Sequence, residues 1–259
     1  MDLFMAHLSP AVFAFVIAVT LFAGFVKGSV GFGLPMIMMG GLTTFVAPQQ
    51  ALAALIMPAF LINLIQAFRQ GWRPALQSTI EYRRFGIAVL VFIAISANFV
   101  NVIPEPVFLL LLGIPIAVYA AMQLAGKTLT VKVEHRTRVE WTLGIISGLY
   151  GGVSGIWGPP LLVFLLSIGT EKTESVRVQG VIYLFGAAML IPAHLHSGVL
   201  NHDTLPFSVV LVIPALVGQL IGFRVHDRLD QDLFRRMTQV MLVLVGLNLV
   251  RDAVTALFF

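Results

Sequence analysis

The stretch Gly24–Pro35, GFVKGSVGFGLP, decides the fold, because it sets a lysine and four glycines inside what otherwise reads as continuous apolar helix. AVFAFVIAVTLFA (11–23) precedes it and MIMMGGLTTFVA (36–47) follows it. A similar interruption returns at Gly148–Pro160, GLYGGVSGIWGPP. Glycines let a backbone leave the helix and approach a ligand closely. At membrane depth, irregular backbone is tolerated only where it lines a cavity or is buried in protein.

The surroundings are those of a membrane protein. Of 259 residues, 58% are hydrophobic and 11% charged, with a mean hydropathy of +0.95, whereas soluble domains carry about 25% charged residues. The apolar runs are unbroken rather than alternating, which excludes a β-barrel and leaves an all-α polytopic bundle. Ten segments are expected, near 8–27, 34–47, 50–69, 84–101, 105–125, 139–151, 155–168, 175–196, 205–223 and 232–257. Segments 34–47, 139–151 and 155–168 are short for a bilayer of about 30 Å and are expected to span partly or to re-enter. The N-terminus has no basic region or cleavage site and reads as a retained first span. There is no cysteine, and no His–carboxylate spacing suggests a metal site, so neither metal nor cofactor is expected.

Lysine and arginine alternate between loops. They occur in 69–84, 126–138, 168–177 and 223–236, and are absent from 101–106 and 197–204. The positive-inside rule puts the basic loops in the cytoplasm and both termini outside. The net charge of +4 therefore reflects basic loops rather than nucleic-acid binding. The expected partners are the bilayer and a small anion, with a homo-oligomer left open.

The two interruptions align. Gly24 meets Gly148, Gly28 meets Gly152 and Gly31 meets Gly155; one inserted residue near Trp157 then brings Gly33 opposite Gly158 and Pro35 opposite Pro160. With five segments per half, the second half enters the membrane the other way up. The expected organisation is two inverted repeats, 1–130 and 139–259, forming one membrane domain. Inverted repeats with broken helices are a mark of secondary transporters, whose substrate site lies near the midplane, here where the two interruptions would meet. Pro35 and Pro159–Pro160 suit the first turn of the following half-helix, whose exposed N–H groups favour an anion.

At these residues the chain resembles a family. GFVKGSVGFGLPMI and GLYGGVSGIWGPPLLVFLL are similar to the paired glycine-rich motifs of the TauE/SafE-type sulfite exporters, as are GTEKTESVRVQGVIYLFG and GQLIGFRVHDRLDQDLFRRM further on. The resemblance covers nearly the whole chain. It implies transport, rather than catalysis, of small sulfur-containing anions such as sulfite, sulfonates or sulfoacetate across a bacterial inner membrane.

The candidate substrate-binding residues are Lys27, Gly28, Ser29, Gly31, Gly33, Asn63, Gln66, Gly152, Ser154, Gly155, Trp157, Gly158 and Gln179. Each has a plainer reading. Lys27 could snorkel as a helix cap. The glycines could be helix-packing contacts of the small-xxx-small kind, and the serines could bond their own helix backbone. Trp157 is a packing aromatic or a gate. Asn63 and Gln66, three apart, share one helix face and either line the pathway or bond between helices. His194 and Arg177 are candidates for ion coupling, against readings as an interfacial histidine and a cytoplasmic charge. A rival class uses GVSG (152–155) and AHLHSG (193–198) as the Ser154–His194 dyad of a rhomboid-like intramembrane protease. The counterpart of the serine motif in the first half and the ten-segment plan count against it.

Overall fold

The computed structural model of the protein describes residues 9–42, 44–96, 105–127, 133–154, 157–196 and 198–258. Among these the chain is all-helical, without a strand. The first helices are α1 (Pro10–Val30), α2 (Leu34–Leu42), α3 (Pro48–Phe68), α4 (Trp72–Glu81), α5 (Arg83–Ser96) and α6 (Glu105–Leu124). After them come α7 (Arg136–Ser154), α8 (Gly158–Ser167), α9 (Lys172–His196), α10 (Leu205–Arg228) and α11 (Gln231–Phe258). Among the described residues, five helical stretches are long and apolar enough to cross a membrane: Pro10–Val30, Gln50–Phe68, Lys172–His196, Leu205–Arg228 and Gln231–Leu257.

Two expectations change. The first interruption is narrower than its glycines suggest, since α1 runs through Gly24, Lys27 and Gly28 and ends only at Val30. Glycine inside a helix costs about 1 kcal/mol relative to alanine, and here close packing against α10 offsets it. The segment 69–84, read as a loop, contains α4. Its Trp72, Leu76 and Ile80 are exposed and recur every fourth residue, a helical spacing.

The chain divides into two compact units, Met1–Ala75 with Val176–Leu229, and Leu76–Ser175 with Asp230–Phe259. In the first unit α10 packs on both α1 and α3, and α2 folds back against α1 and α3. Val16, Ala23, Leu34, Met38, Ile62, Phe207 and Leu211 fill its core. The α1–α10 crossing is set by glycine on both sides. A Cβ on Gly24 would strike the Ala215 carbonyl oxygen, and one on Gly28 that of Gln219. In return, a Cβ on Gly218 would strike the Leu21 carbonyl oxygen and one on Gly222 that of Phe25. Two GxxxG faces thus bring the backbones into contact, the arrangement that drives helix association where the hydrophobic effect between helices is absent.

In the second unit α5 packs on α7 and α6 on α11, while α8 follows α7. Gly144 and Gly148 of α7 lie against Phe85, Ala88 and Val89 of α5, and Gly113 of α6 faces Gly246 of α11. A polar network ties the start of α5 to α7 in this unit. Buried Glu140 accepts from the Phe85 backbone N–H at 3.4 Å and lies 3.7 Å from Arg84. Arg136 pairs with Glu81 at 2.8 Å. The Tyr82 hydroxyl donates to Glu174 at 3.0 Å, and burial, reinforced by the Glu174 charge, pushes its phenol above the ordinary range, so it remains the donor.

Candidate substrate site

The break between α1 and α2 is built on two left-handed glycines, Gly31 at φ 92° and Gly33 at φ 97°. The Gly31 N–H closes α1 on the Lys27 carbonyl at 2.7 Å. Any residue with a Cβ would be strained at these angles. The chain re-enters helix at Leu34, with Pro35 in the first turn, where its missing N–H costs nothing.

Lys27, one turn before the break, is 2% exposed. Its ammonium donates to the Gly31 carbonyl at 3.0 Å, and Nζ stands 5.0 Å from the centroid of the Tyr183 ring. Among the described residues no carboxylate comes within 4.0 Å of it. The carbonyl and the ring face stabilise the cation in part. Among the described residues they leave it without an adjacent counter-charge, and removing an unpaired ion from water costs several kcal/mol.

Residues from α3 and α9 complete the cluster. The Gln66 side-chain Nε2 donates to the Gly31 carbonyl at 3.1 Å and to the Val176 carbonyl at 2.7 Å, so one amide ties the break to the start of α9. Fully buried Gln179 covers Gly31 so closely that a Cβ there would come 2.7 Å from its Oε1. Gly180 of α9 lies against the backbone of Gln66 and Ala67. Asn63 is buried one turn before Gln66, and Gln219 of α10 donates to the Ile62 carbonyl at 2.8 Å. The cluster lies near the ends of α1 and α3 and the start of α9, towards Arg69, Arg177 and Arg224 in the chain. Arg69 is held there by Asp227 at 2.7 Å and by the face of Phe223.

The structure thus brings Lys27, Gly31, Gln66 and Gln179 together, with Asn63 and Gly33 adjoining in the chain. Other candidates are placed differently. Gly28 sits inside α1 against Gln219, and Ser29 donates to the Phe25 carbonyl of its own helix at 2.9 Å. Arg177 donates to the Gln70 side chain, and half-buried His194 lies near the end of α9. In the second motif, Gly152 and Ser154 belong to the backbone of α7, and Gly155 lies outside the described residues. Trp157 is buried just before α8, its carbonyl accepting from the Ser147 hydroxyl, and Gly158 opens α8 ahead of Pro159 and Pro160. Sequence reasoning missed Tyr183, Gln219 and the Gly218–Gly222 pair. The i, i+4 step from Gln179 to Tyr183 and the GxxxG spacing were the available signals.

The family model described as sulfite exporter TauE/SafE matches residues 16–249. The chain belongs to this family. A TauE/SafE chain with helices of this length and hydropathy is a multi-pass membrane protein of a transporter family. The match gives no support to the serine-protease reading of Ser154 and His194. No curated protein and no solved structure matches the chain.

Proposed function

We propose that the protein is a secondary transporter of a small anion, sulfite, a sulfonate or a related organosulfur compound, working by alternating access in a bacterial inner membrane. The observation that carries this reading is the Lys27 ammonium, buried at a helix break with no carboxylate beside it among the described residues. An anion would supply the missing charge. The start of α2, directly after the break, would add backbone N–H groups oriented towards negative charge.

The inverted-repeat plan belongs to the same proposal. Its support is the alignment of the two glycine motifs and a matching exchange of partners. α1, the first helix of one half, packs on α10 from the other half, and α7, the first helix of the second half, packs on α5 from the first. Each is followed by a short helix beginning beside proline, α2 in one case and α8 in the other.

The test is flux in proteoliposomes with labelled sulfite, sulfonates and carboxylates, with and without a pH gradient. A sulfur oxyanion should move, and Lys27→Met should abolish saturable transport while the protein still inserts. Transport by Lys27→Met with unchanged concentration dependence would reduce Lys27 to a cap on the end of α1.

A further inference from the structure

The cluster around Lys27 holds acceptors as well as a cation. Three buried side-chain oxygens, Asn63 Oδ1, Gln66 Oε1 and Gln219 Oε1, receive no hydrogen bond from any described residue. Two of these amides cannot simply be turned round. The Gln66 NH₂ faces two carbonyls, Gly31 and Val176, and the Gln219 NH₂ faces the Ile62 carbonyl. Reversing either amide would set oxygen against oxygen, so the hydrogen-bond partners fix each Oε1 as an acceptor.

All three oxygens belong to one neighbourhood. Asn63 and Gln66 lie on one turn of α3, and Gln219 is tied to the first residue of that turn, Ile62. Gln66 Nε2 and Lys27 Nζ share a single acceptor, the Gly31 carbonyl, so the ammonium and the Gln66 amide lie within two hydrogen-bond lengths of each other. A site made only for a bare oxyanion would be lined with donors, because each uncompensated acceptor costs free energy and repels an anion's lone pairs.

Building on the transport reading, we infer that this site takes a small monoanion that carries its own O–H or N–H donor, and that Gln66, Gln219 and Asn63 select for that donor. Lys27 supplies one positive charge and so matches one negative charge. The amide oxygens take the ligand's proton-bearing group. A fully ionised dianion such as sulfate brings a second charge and no donor, and the same oxygens disfavour it.

The test compares two sulfonates of equal charge and nearly equal size, 2-hydroxyethanesulfonate and propane-1-sulfonate, with sulfate as the donor-free dianion. Each competes against labelled sulfite uptake into proteoliposomes containing the full chain, and binding of each to the purified protein is measured by calorimetry. The hydroxysulfonate should compete and bind about tenfold better than propane-1-sulfonate, with sulfate weakest. Gln219→Met should bring the two sulfonates to near equality without changing the sign of the preferred charge. Equal affinity of the two sulfonates in the native protein overturns this inference while leaving anion transport standing. Failure of every anion to bind or to compete overturns both. If Gln219→Met does not fold, the comparison on the native protein decides alone.

Discussion

Gln66 donates to the carbonyl of Gly31 at 3.1 Å across 35 positions of sequence, and its second N–H reaches Val176 at 2.7 Å. One side chain therefore spans three helices at the point where α1 stops. Gln66→Leu keeps the bulk but removes both donors, so the Gly31 and Val176 carbonyls each lose a hydrogen bond. A loss of about 1–3 kcal/mol is expected, read as a lowered thermal midpoint of the detergent-solubilised protein, with a larger proportional loss of transport.

Gly31→Ala tests the break itself. The left-handed backbone costs a non-glycine residue roughly 1–2 kcal/mol, and the new methyl would lie 2.7 Å from Gln179 Oε1. Expression should survive and flux should not. Flux in Gly31→Ala equal to the native rate would show that the geometry of the turn is dispensable.

The crossing of α1 and α10 should tolerate nothing larger than hydrogen at its four contact glycines. Gly28→Ala and Gly218→Ala each push a methyl into a backbone carbonyl, so losses of roughly 3 kcal/mol or more are expected, at or above the usual range for overpacking. Gly40→Ala is the control. It lies within α2 with nothing inside 4 Å of the added carbon, and should be neutral or stabilising by about 0.5–1 kcal/mol. Thermal melts of the variants side by side check the contrast.

Two acidic groups near the ends of the helices should behave differently. The Asp227 side chain is 60% exposed in its pair with Arg69, and pairs of that kind are worth about 0–1 kcal/mol. Asp227→Asn should barely change stability, and high salt should erase the difference. Glu140 is buried and accepts from the Phe85 N–H at the first turn of α5. Glu140→Ala strands that donor and should cost about 1–3 kcal/mol. Equal effects of the two substitutions would contradict these assignments.

The class of fold was legible because long apolar runs admit few alternatives in lipid, and Gly31, Gly33 and Pro35 announced a helix break. The extent of the break was less legible, because Gly24 and Gly28 carry the same letter as Gly31. Only the partner separates them: Ala215 and Gln219 hold the first two in helix, and that pairing spans nearly 200 positions. Lys27 was ambiguous for a related reason. A lysine at the end of an apolar run is equally a snorkelling cap or a buried charge until the ring of Tyr183 and the covering Gln179 are in place. α4 was hidden because its stripe of Trp72, Leu76 and Ile80 is short and interleaved with polar residues. The roles of Gln66 and Gln219 depend on which carbonyls their amides reach, which no local pattern encodes.

The interlocked glycines also have a mechanical meaning. Without side chains between them, α1 and α10 have no cushion to slide on, and a small rotation of either would drive a carbonyl oxygen into the glycine facing it. The pair is therefore a single stiff strut. The short α2 is clamped to the same strut through its buried Leu34, Met38 and Leu42, so the turn at Gly31 and Gly33 is gripped from both sides and the lysine one turn before it is held at a fixed height.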